Sequence, residues 1–247
     1  QVRDSSAFRL KALVVPSAAK RLPSTTHRVA APRAHHRLQG DMDFPNQPLP
    51  FEGFNLFDVD IALQHAVARD AAQWAVPQLR AWGATLGRPE TYALADAANR
   101  NSPLLRTHDR RGERIDDVVF HPAWHALMQV ATSNGEHCAP WRAPREGAQV
   151  ARAASYYLHA QVENGTQCPL TMTYACVPVL TRHAPTLPGA DVWRARALGD
   201  AYDPRPLRVA DKRSALIGMG MTERQGGSGV RTNTTRAVRD GDAWRIT

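Results

Sequence analysis

One segment near the end of the chain, Leu216–Val230, limits the possible folds more than any other. An apolar run with alternating small residues stops at Thr222 and Glu223, and three glycines and one serine follow within positions 226–229. Glycine permits backbone conformations closed to other residues and lets a ligand approach the main chain. Successive free N–H groups in such a loop form a concave site for an anion such as a phosphate. The segment therefore predicts a strand that leads into a ligand-binding loop, with a flexible hairpin as the alternative.

The composition limits the classes of protein to which the chain can belong. Its 247 residues, 43% of them hydrophobic and 22% charged, are typical of a soluble globular protein with one large or two ordinary domains. No apolar run approaches the roughly 20 residues that span a bilayer, so we expect no membrane association. The cysteines Cys138, Cys168 and Cys176 form neither a C-x-x-C pair nor an even disulfide framework. They favour free thiols in a reducing compartment, the cytoplasm.

Almost all of the net charge of +8 belongs to the first residues of the chain. Residues 1–40 contain eight Lys and Arg residues against Asp4 alone, so they contribute seven of the eight net charges. A strongly basic protein ordinarily indicates a nucleic acid or anionic surface as partner, but here the charge belongs to a tail. Residues 1–43, rich in Arg, Ala and Ser with three prolines, predict a basic disordered leader. An organelle transit peptide and a nucleic-acid-binding arm are the alternatives.

Between residues 55 and 205 the apolar residues recur at helical spacing. We expect Asp58 to cap a helix with one apolar face that runs from Val59 to Trp74, and Pro77 to break or bend it. The segment Cys168–Val177 is apolar on nearly every side, which predicts a helix buried inside a bundle. Residues 109–117 predict a charged turn and residues 135–149 a surface connection. Further helices are expected up to Gly87, from Pro89 to a point before Pro103, after Pro122, from Val150 to Gly165, and around Trp193.

Two histidines, His121 and His125, have the i, i+4 spacing of helical metal ligands. Pro122 indicates, however, that His121 precedes its helix, and no third ligand is spaced beside the pair. Packing and capping roles are commoner for such histidines. We therefore predict no metal site.

After residue 205 the pattern changes to the alternation of β-strands. Strand-like segments are Ala215–Thr222, Thr234–Val238 and Trp244–Thr247. The predicted fold class is therefore α+β, with an all-helical domain at residues 44–205. The first strands of a β domain, with the glycine-rich loop, follow at residues 206–247.

The string Met221–Ser228 resembles the T-E-x-x-x-G-S-D signature of acyl-CoA dehydrogenases, which bind FAD. The longer string Gly218–Ser228, with Asn233–Arg236 after it and Phe120–His125 upstream, is most similar to the adaptive alkylation-response (AidB-like) branch of that family. The family has Asp after the serine, where this chain has Gly229.

The resemblance implies a flavin site in the loop. It implies that the Thr222 hydroxyl and nearby main chain contact the flavin ring and that Ser228 contacts the pyrophosphate region. The implied FAD-binding residues are Met219, Gly220, Met221, Thr222, Glu223, Arg224, Gln225, Gly226, Gly227 and Ser228.

The resemblance also implies a larger protein with a helical domain, a β domain and a second helical domain. The second helical domain holds the catalytic base, most oligomer contacts and the DNA-contacting surface of the AidB-like branch. No residue of this chain matches the base, so we predict no catalytic residue. The expected function is the N-terminal fragment of an FAD-binding, acyl-CoA dehydrogenase-like flavoprotein, inactive by itself, that forms a homo-oligomer and binds acyl-CoA when complete. The alternatives are a DNA-protective binding protein with a structural flavin and an inactive fragment.

Overall fold

The computed structural model of the protein describes Pro48 and residues 50–247. Residues 50–247 form two units, Pro50–Met219 and Gly220–Thr247. The helices precede the last strands along the chain, so the predicted α+β class is confirmed. The leader predicted at residues 1–43 lies outside the described residues.

The first unit is built from short and medium-length helices and one β-hairpin. Two short 3-10 helices, Gln73–Ala75 and Val209–Asp211, complete it. The elements, in chain order, are α1 (Leu56–Val59), α2 (Ile61–Arg69), α3 (Val76–Leu86), α4 (Pro89–Arg100), β1 (Leu104–His108), β2 (Arg114–Val119), α5 (Pro122–Ser133), α6 (Ala139–Arg142), α7 (Ala148–Ala160), α8 (Gln167–His183) and α9 (Ala190–Ala197).

The first helices start at side-chain caps that differ from the predicted one. The Asn55 side chain accepts hydrogen bonds from the first N–H groups of α1, and the Asp60 side chain caps α2. The predicted cap at Asp58 and the single helix Val59–Trp74 are therefore wrong. The chain turns at Asp60, and Ala71 has a left-handed φ of +60° that no helix accommodates.

Helices α1, α2, α3 and α7 enclose the main core. Phe57, Val67 and Leu158 have no exposed surface, and Leu79 is 2% exposed. The backbones of this core approach so closely that a Cβ at Gly87 would lie 1.7 Å from the Phe54 carbonyl oxygen, which explains the glycine. A smaller cluster of Met128, Ala131, Leu170 and Tyr202 joins α5 and α8.

Helix α8 buries only one of its faces within the first unit. Leu170, Thr173, Val177 and Leu180 are buried at the spacing of one helical stripe. Val179 is 54% exposed and Cys168 is exposed. The prediction of a helix covered on nearly every side is therefore wrong, and α8 continues through an internal proline to His183.

The charged segment 109–117 contains the turn of an antiparallel hairpin that sequence reasoning missed. Strands β1 and β2 pair from Leu104 opposite Val119 to His108 opposite Arg114. Asp109 Oδ1 accepts hydrogen bonds from two turn N–H groups, and Gly112 supplies a φ of +83°. Residues 55–205 are therefore not all helical.

The second unit consists of a glycine-rich loop, a 3-10 helix at Val230–Thr232 and a hairpin of β3 (Ala237–Asp240) and β4 (Ala243–Ile246). The two C-terminal strands predicted from sequence are confirmed, with shifted bounds. The predicted strand Ala215–Thr222 is wrong: this segment has no regular secondary structure and pairs with no strand among the described residues.

Candidate cofactor-binding loop

The predicted FAD-binding residues run from Met219, the last residue of the first unit, to Ser228 in the second. A tight turn follows Thr222. The Glu223 N–H donates to the Gly226 carbonyl at 3.2 Å, and the Gly226 N–H donates back to the Glu223 carbonyl at 3.1 Å. Gly226 has a φ of +151°, which side-chain-bearing residues rarely adopt. The glycine-rich sequence therefore makes a closed turn.

The Glu223 carboxylate joins this turn to the segment that follows the loop. It accepts hydrogen bonds from the main-chain N–H groups of Thr234 and Thr235 at 2.7 and 2.9 Å, and from Gln225 Nε2 at 2.6 Å. The Thr235 hydroxyl, Gln225 and these N–H groups lower the pKa of Glu223 to about 2. The carboxylate is thus ionised at neutral pH and holds both ends of the loop together.

A second contact supports the same arrangement. Asn233 Nδ2 donates to the Met221 carbonyl at 2.8 Å. Asn233 Oδ1 is buried and has no donor among the described residues. Asn233 therefore ties the segment after the loop to Met221.

The side chain of Thr222 lies against the main chain of Gly227. A Cβ at Gly227 would lie 2.8 Å from Thr222 Oγ1 and 3.3 Å from its Cγ2. Any larger residue at position 227 would therefore displace the threonine. This contact fixes two loop positions that the sequence prediction assigned to the flavin.

The donors of the loop fit a flavin nucleotide. The N–H groups of Met221, Thr222, Gly227 and Ser228 form no hydrogen bond with any described residue, and neither do the hydroxyls of Thr222 and Ser228. Flavin rings and pyrophosphates offer acceptors for such groups, and a run of free N–H groups is a common anion site. The donor set is therefore suited to the cofactor that the resemblance implies.

The remaining predicted residues have different positions. Met219 donates its N–H to Met172 Sδ at 3.3 Å, and its side chain and that of Met221 are about half exposed. Gln225 and Glu223 brace the loop through their hydrogen bonds, although the Gln225 side chain is exposed. The bracing role of Thr234 and Thr235 was missed. The sequence did contain a signal for it. A carboxylate at the start of a glycine turn needs hydrogen-bond donors, and a short polar segment that can supply them follows the loop.

The histidines considered as metal ligands have structural roles. His121 caps α5 by accepting the Ala123 N–H at 3.2 Å on its Nδ1. His125 Nδ1 forms a 2.8 Å hydrogen bond with the Tyr202 hydroxyl, a partner that sequence spacing did not reveal. Burial lowers the pKa of His125 and raises that of Tyr202 to about 12. Among residues 50–247, no group of three or more His, Cys, Asp or Glu side chains is arranged to hold a metal ion.

Comparisons with known proteins agree with this fold. The family model of the adaptive response protein AidB N-terminal domain matches residues 46–204. The AidB protein of Escherichia coli (strain K12), an acyl-CoA dehydrogenase by name, is 49% identical over 195 residues, which are 78% of this chain and 36% of that protein.

Two solved structures have the same fold. ACDH-11 of Caenorhabditis elegans, crystallised in complex with C11-CoA, matches with a TM-score of 0.69 and 21% identity, over 87% of this chain and 37% of that one. The protein Bd2924 in its apo form matches with a TM-score of 0.64 and 25% identity, over 81% of this chain and 40% of that one.

The chain thus spans little more than a third of the length of the relatives it matches. None of the described helices is long and apolar enough to cross a membrane. The family match covers well over half of the chain. The chain therefore belongs to the AidB family of acyl-CoA dehydrogenase-like proteins and carries their N-terminal domain.

Proposed function

We propose that the chain supplies part of the FAD site of an AidB-type flavoprotein, through the loop Met219–Ser228. The observation that carries this proposal is the braced glycine turn, in which Glu223 holds the loop closed while the N–H groups and hydroxyls on both sides of it have no partner among the described residues.

Each part of the loop has a distinct task in this proposal. Thr222, with the main chain at Met221, holds the flavin ring, and Ser228 with the Gly227 N–H holds the pyrophosphate. Flavin cofactors supply hydride-transfer chemistry when bound. Glu223 remains ionised because its pKa is about 2. Its two oxygens are occupied by donors, so it positions the loop and is not available as a general base.

For the whole protein we propose only a class of substrate and a general role. The relative from Escherichia coli is an acyl-CoA dehydrogenase by name, and the structure of ACDH-11 contains C11-CoA. We propose an acyl-CoA as the class of substrate and a role in an adaptive response, which the family name supports. That this response is to DNA alkylation follows only from the sequence resemblance described above. The three free thiols suit a reducing compartment such as the cytoplasm.

The test is a titration of the isotopically labelled chain with FAD, followed by NMR. We expect the largest amide shifts within residues 219–228 and in the bracing segment 233–235. Thr222→Val should weaken FAD binding, because losing a hydrogen bond that leaves a buried partner unsatisfied costs about 1–3 kcal/mol. Thr247→Val, the same substitution on an exposed residue of the same unit, is the matched control.

Two results would contradict the proposal. One is an absence of shifts in the loop at saturating FAD concentration. The other is an equal affinity for FAD in the wild-type chain and the Thr222→Val variant.

A further inference from the structure

A second candidate site lies wholly inside the first unit and shares no residue with the loop. It is a cavity of about 230 Å³, which we call the arginine cavity. The helix α3, the end of α5, helix α6 and the start of α7 surround it. The arginines Arg142, Arg145 and Arg152 line it, together with the tryptophans Trp74 and Trp82.

Arg152 is the best positioned of the three cations. Its Nε donates to the Glu136 carbonyl at 2.8 Å, and its guanidinium lies 3.8 Å from the ring centre of Tyr174 and 4.7 Å from that of Tyr156. Nη2 is buried and has no acceptor among residues 50–247, and no carboxylate of these residues forms an ion pair with the side chain. Burial lowers the pKa of Arg152, and the nearby Glu136 carboxylate favours its charge without forming an ion pair with it. A bound anion would compensate this half-buried guanidinium further.

The other two arginines add positive charge at the same cavity. Arg145 stacks on the ring of Trp74, 3.2 Å from its centre, and has no ion-pair partner in the described part of the chain. Arg142 has a single long contact of 3.4 Å to Asp200 and leaves 42% of its side chain exposed. Neither cation is held by a close carboxylate.

The one carboxylate that lines the cavity is already engaged. Glu136 is fully buried, and its Oε1 accepts hydrogen bonds from Trp82 Nε1 and Ser155 Oγ, each at 3.1 Å. Its Oε2 lies 2.7 Å from His159 Nδ1. Because donors of the protein already surround both oxygens, Glu136 is directed to the core network rather than to the three arginines.

We propose that the arginine cavity binds a small ligand with an oxyanion, a phosphate or a carboxylate, on an apolar body. The planar fork of arginine N–H donors can bind two oxygens of either anion at once. The indoles and the side chains of Ala75, Leu79 and Ala151 provide apolar surface for the rest of the ligand. The cavity lies below the range of about 300–1,000 Å³ that is usual for drug-sized ligands, which restricts the occupant to a small molecule.

The test uses the full chain with phenyl phosphate, benzoate and the uncharged analogue benzyl alcohol at constant ionic strength. Calorimetry gives the dissociation constants. The indole N–H signals of the six tryptophans in NMR spectra show where in the protein the ligand binds. We expect at least one of the two anions to bind, benzyl alcohol not to bind, and the shifts to concentrate on Trp74 and Trp82. Arg152→Gln should weaken anion binding by about ten-fold or more, since hydrogen bonds to charged groups are the strong ones.

Arg142→Gln provides a second variant, because its exposed side chain can be removed without opening the core. The control is Arg69→Gln, which changes the net charge equally at an exposed arginine that does not line the cavity. The proposal is overturned if neither anion binds, or if the control loses as much affinity as both cavity variants. Indole shifts confined to tryptophans other than Trp74 and Trp82 would also overturn it.

Discussion

The two units of the chain are ordered by different forces. Residues 50–219 enclose a core of fully buried side chains such as Phe57 and Leu158. Residues 220–247 bury none of their side chains, and hydrogen bonds converging on Glu223 and the β3–β4 pairing hold them. Burying one large apolar side chain contributes about 1.5–3 kcal/mol, whereas a typical hydrogen bond contributes about 0.5–1.5 kcal/mol. The candidate cofactor loop therefore belongs to the part of the chain that opens most easily.

The largest expected effect is on the buried carboxylate of the first unit. Glu136→Ala removes the acceptor for Trp82, Ser155 and His159 and leaves them buried without a partner. Leaving a buried donor without its acceptor costs about 1–3 kcal/mol of unfolding free energy, and three groups lose theirs in this variant. Urea unfolding followed by circular dichroism measures it. Glu113→Ala, on the exposed β1–β2 turn, should change stability by less than about 0.5 kcal/mol. Equal effects of the two variants would refute the assignment of Glu136 to the core.

A somewhat smaller effect is expected in the apolar core itself. Leu158→Ala removes a side chain with no exposed surface and should lower the free energy of unfolding by about 2–5 kcal/mol. Val179→Ala, at a position that is 54% exposed on α8, is the matched truncation and should be close to neutral. In the Leu158→Ala variant the amide shifts of residues 220–247 should stay unchanged in the native state. Widespread shifts there would contradict the separation of the two units.

The smallest effect is a local one, and it depends on pH. The folded-state pKa of Glu223 lies at about 2, below its ordinary value of 4.5. Its stabilising contribution is therefore complete above pH 4.5 and is lost as the pH falls towards 2. Between these values the amide signals of Thr234 and Thr235 should move towards those of a disordered chain while the signals of the first unit persist.

Substitution of the same residue sharpens this last prediction. Glu223→Gln should displace the amide signals of Thr234 and Thr235 at every pH and abolish their titration. Glu113→Gln is the control at an exposed glutamate of the other unit. A titration of these amides that survives in the Glu223→Gln variant would show that another group causes it.

Much of the helical unit could be predicted because the sequence signals for a helix come from residues that are close together in the chain. Pro89 and Pro122 stand in the first turns of α4 and α5, where proline suits a helix. The spacing of apolar residues from Val150 predicted α7 for the same reason. The break between α1 and α2 was missed because two good caps, Asp58 and Asp60, stand close together and only the folded chain shows which one is used.

The strands were harder to predict because a strand needs a partner. Residues 215–222 have the right alternation but pair with nothing among the described residues, whereas the less obvious segments around Leu104 and Val119 pair with each other. The loop was recognisable from its glycines and the Thr-Glu pair. The brace was not, because the hydrogen bonds between Glu223 and residues 234–235 span more than ten positions and depend on the turn.

The β1–β2 hairpin has a consequence for mutational tolerance. Leu104 and Leu105 are 67% and 63% exposed, and Val118 is 48% exposed, so polar substitutions there remove little buried surface. Folding alone would therefore allow these positions to drift freely during evolution. In a mutational scan read out by stability they should accept almost any residue. A second scan can be read out by activity in cells. If only apolar residues are retained at these positions in that scan, they are selected for a contact that the folded protein makes.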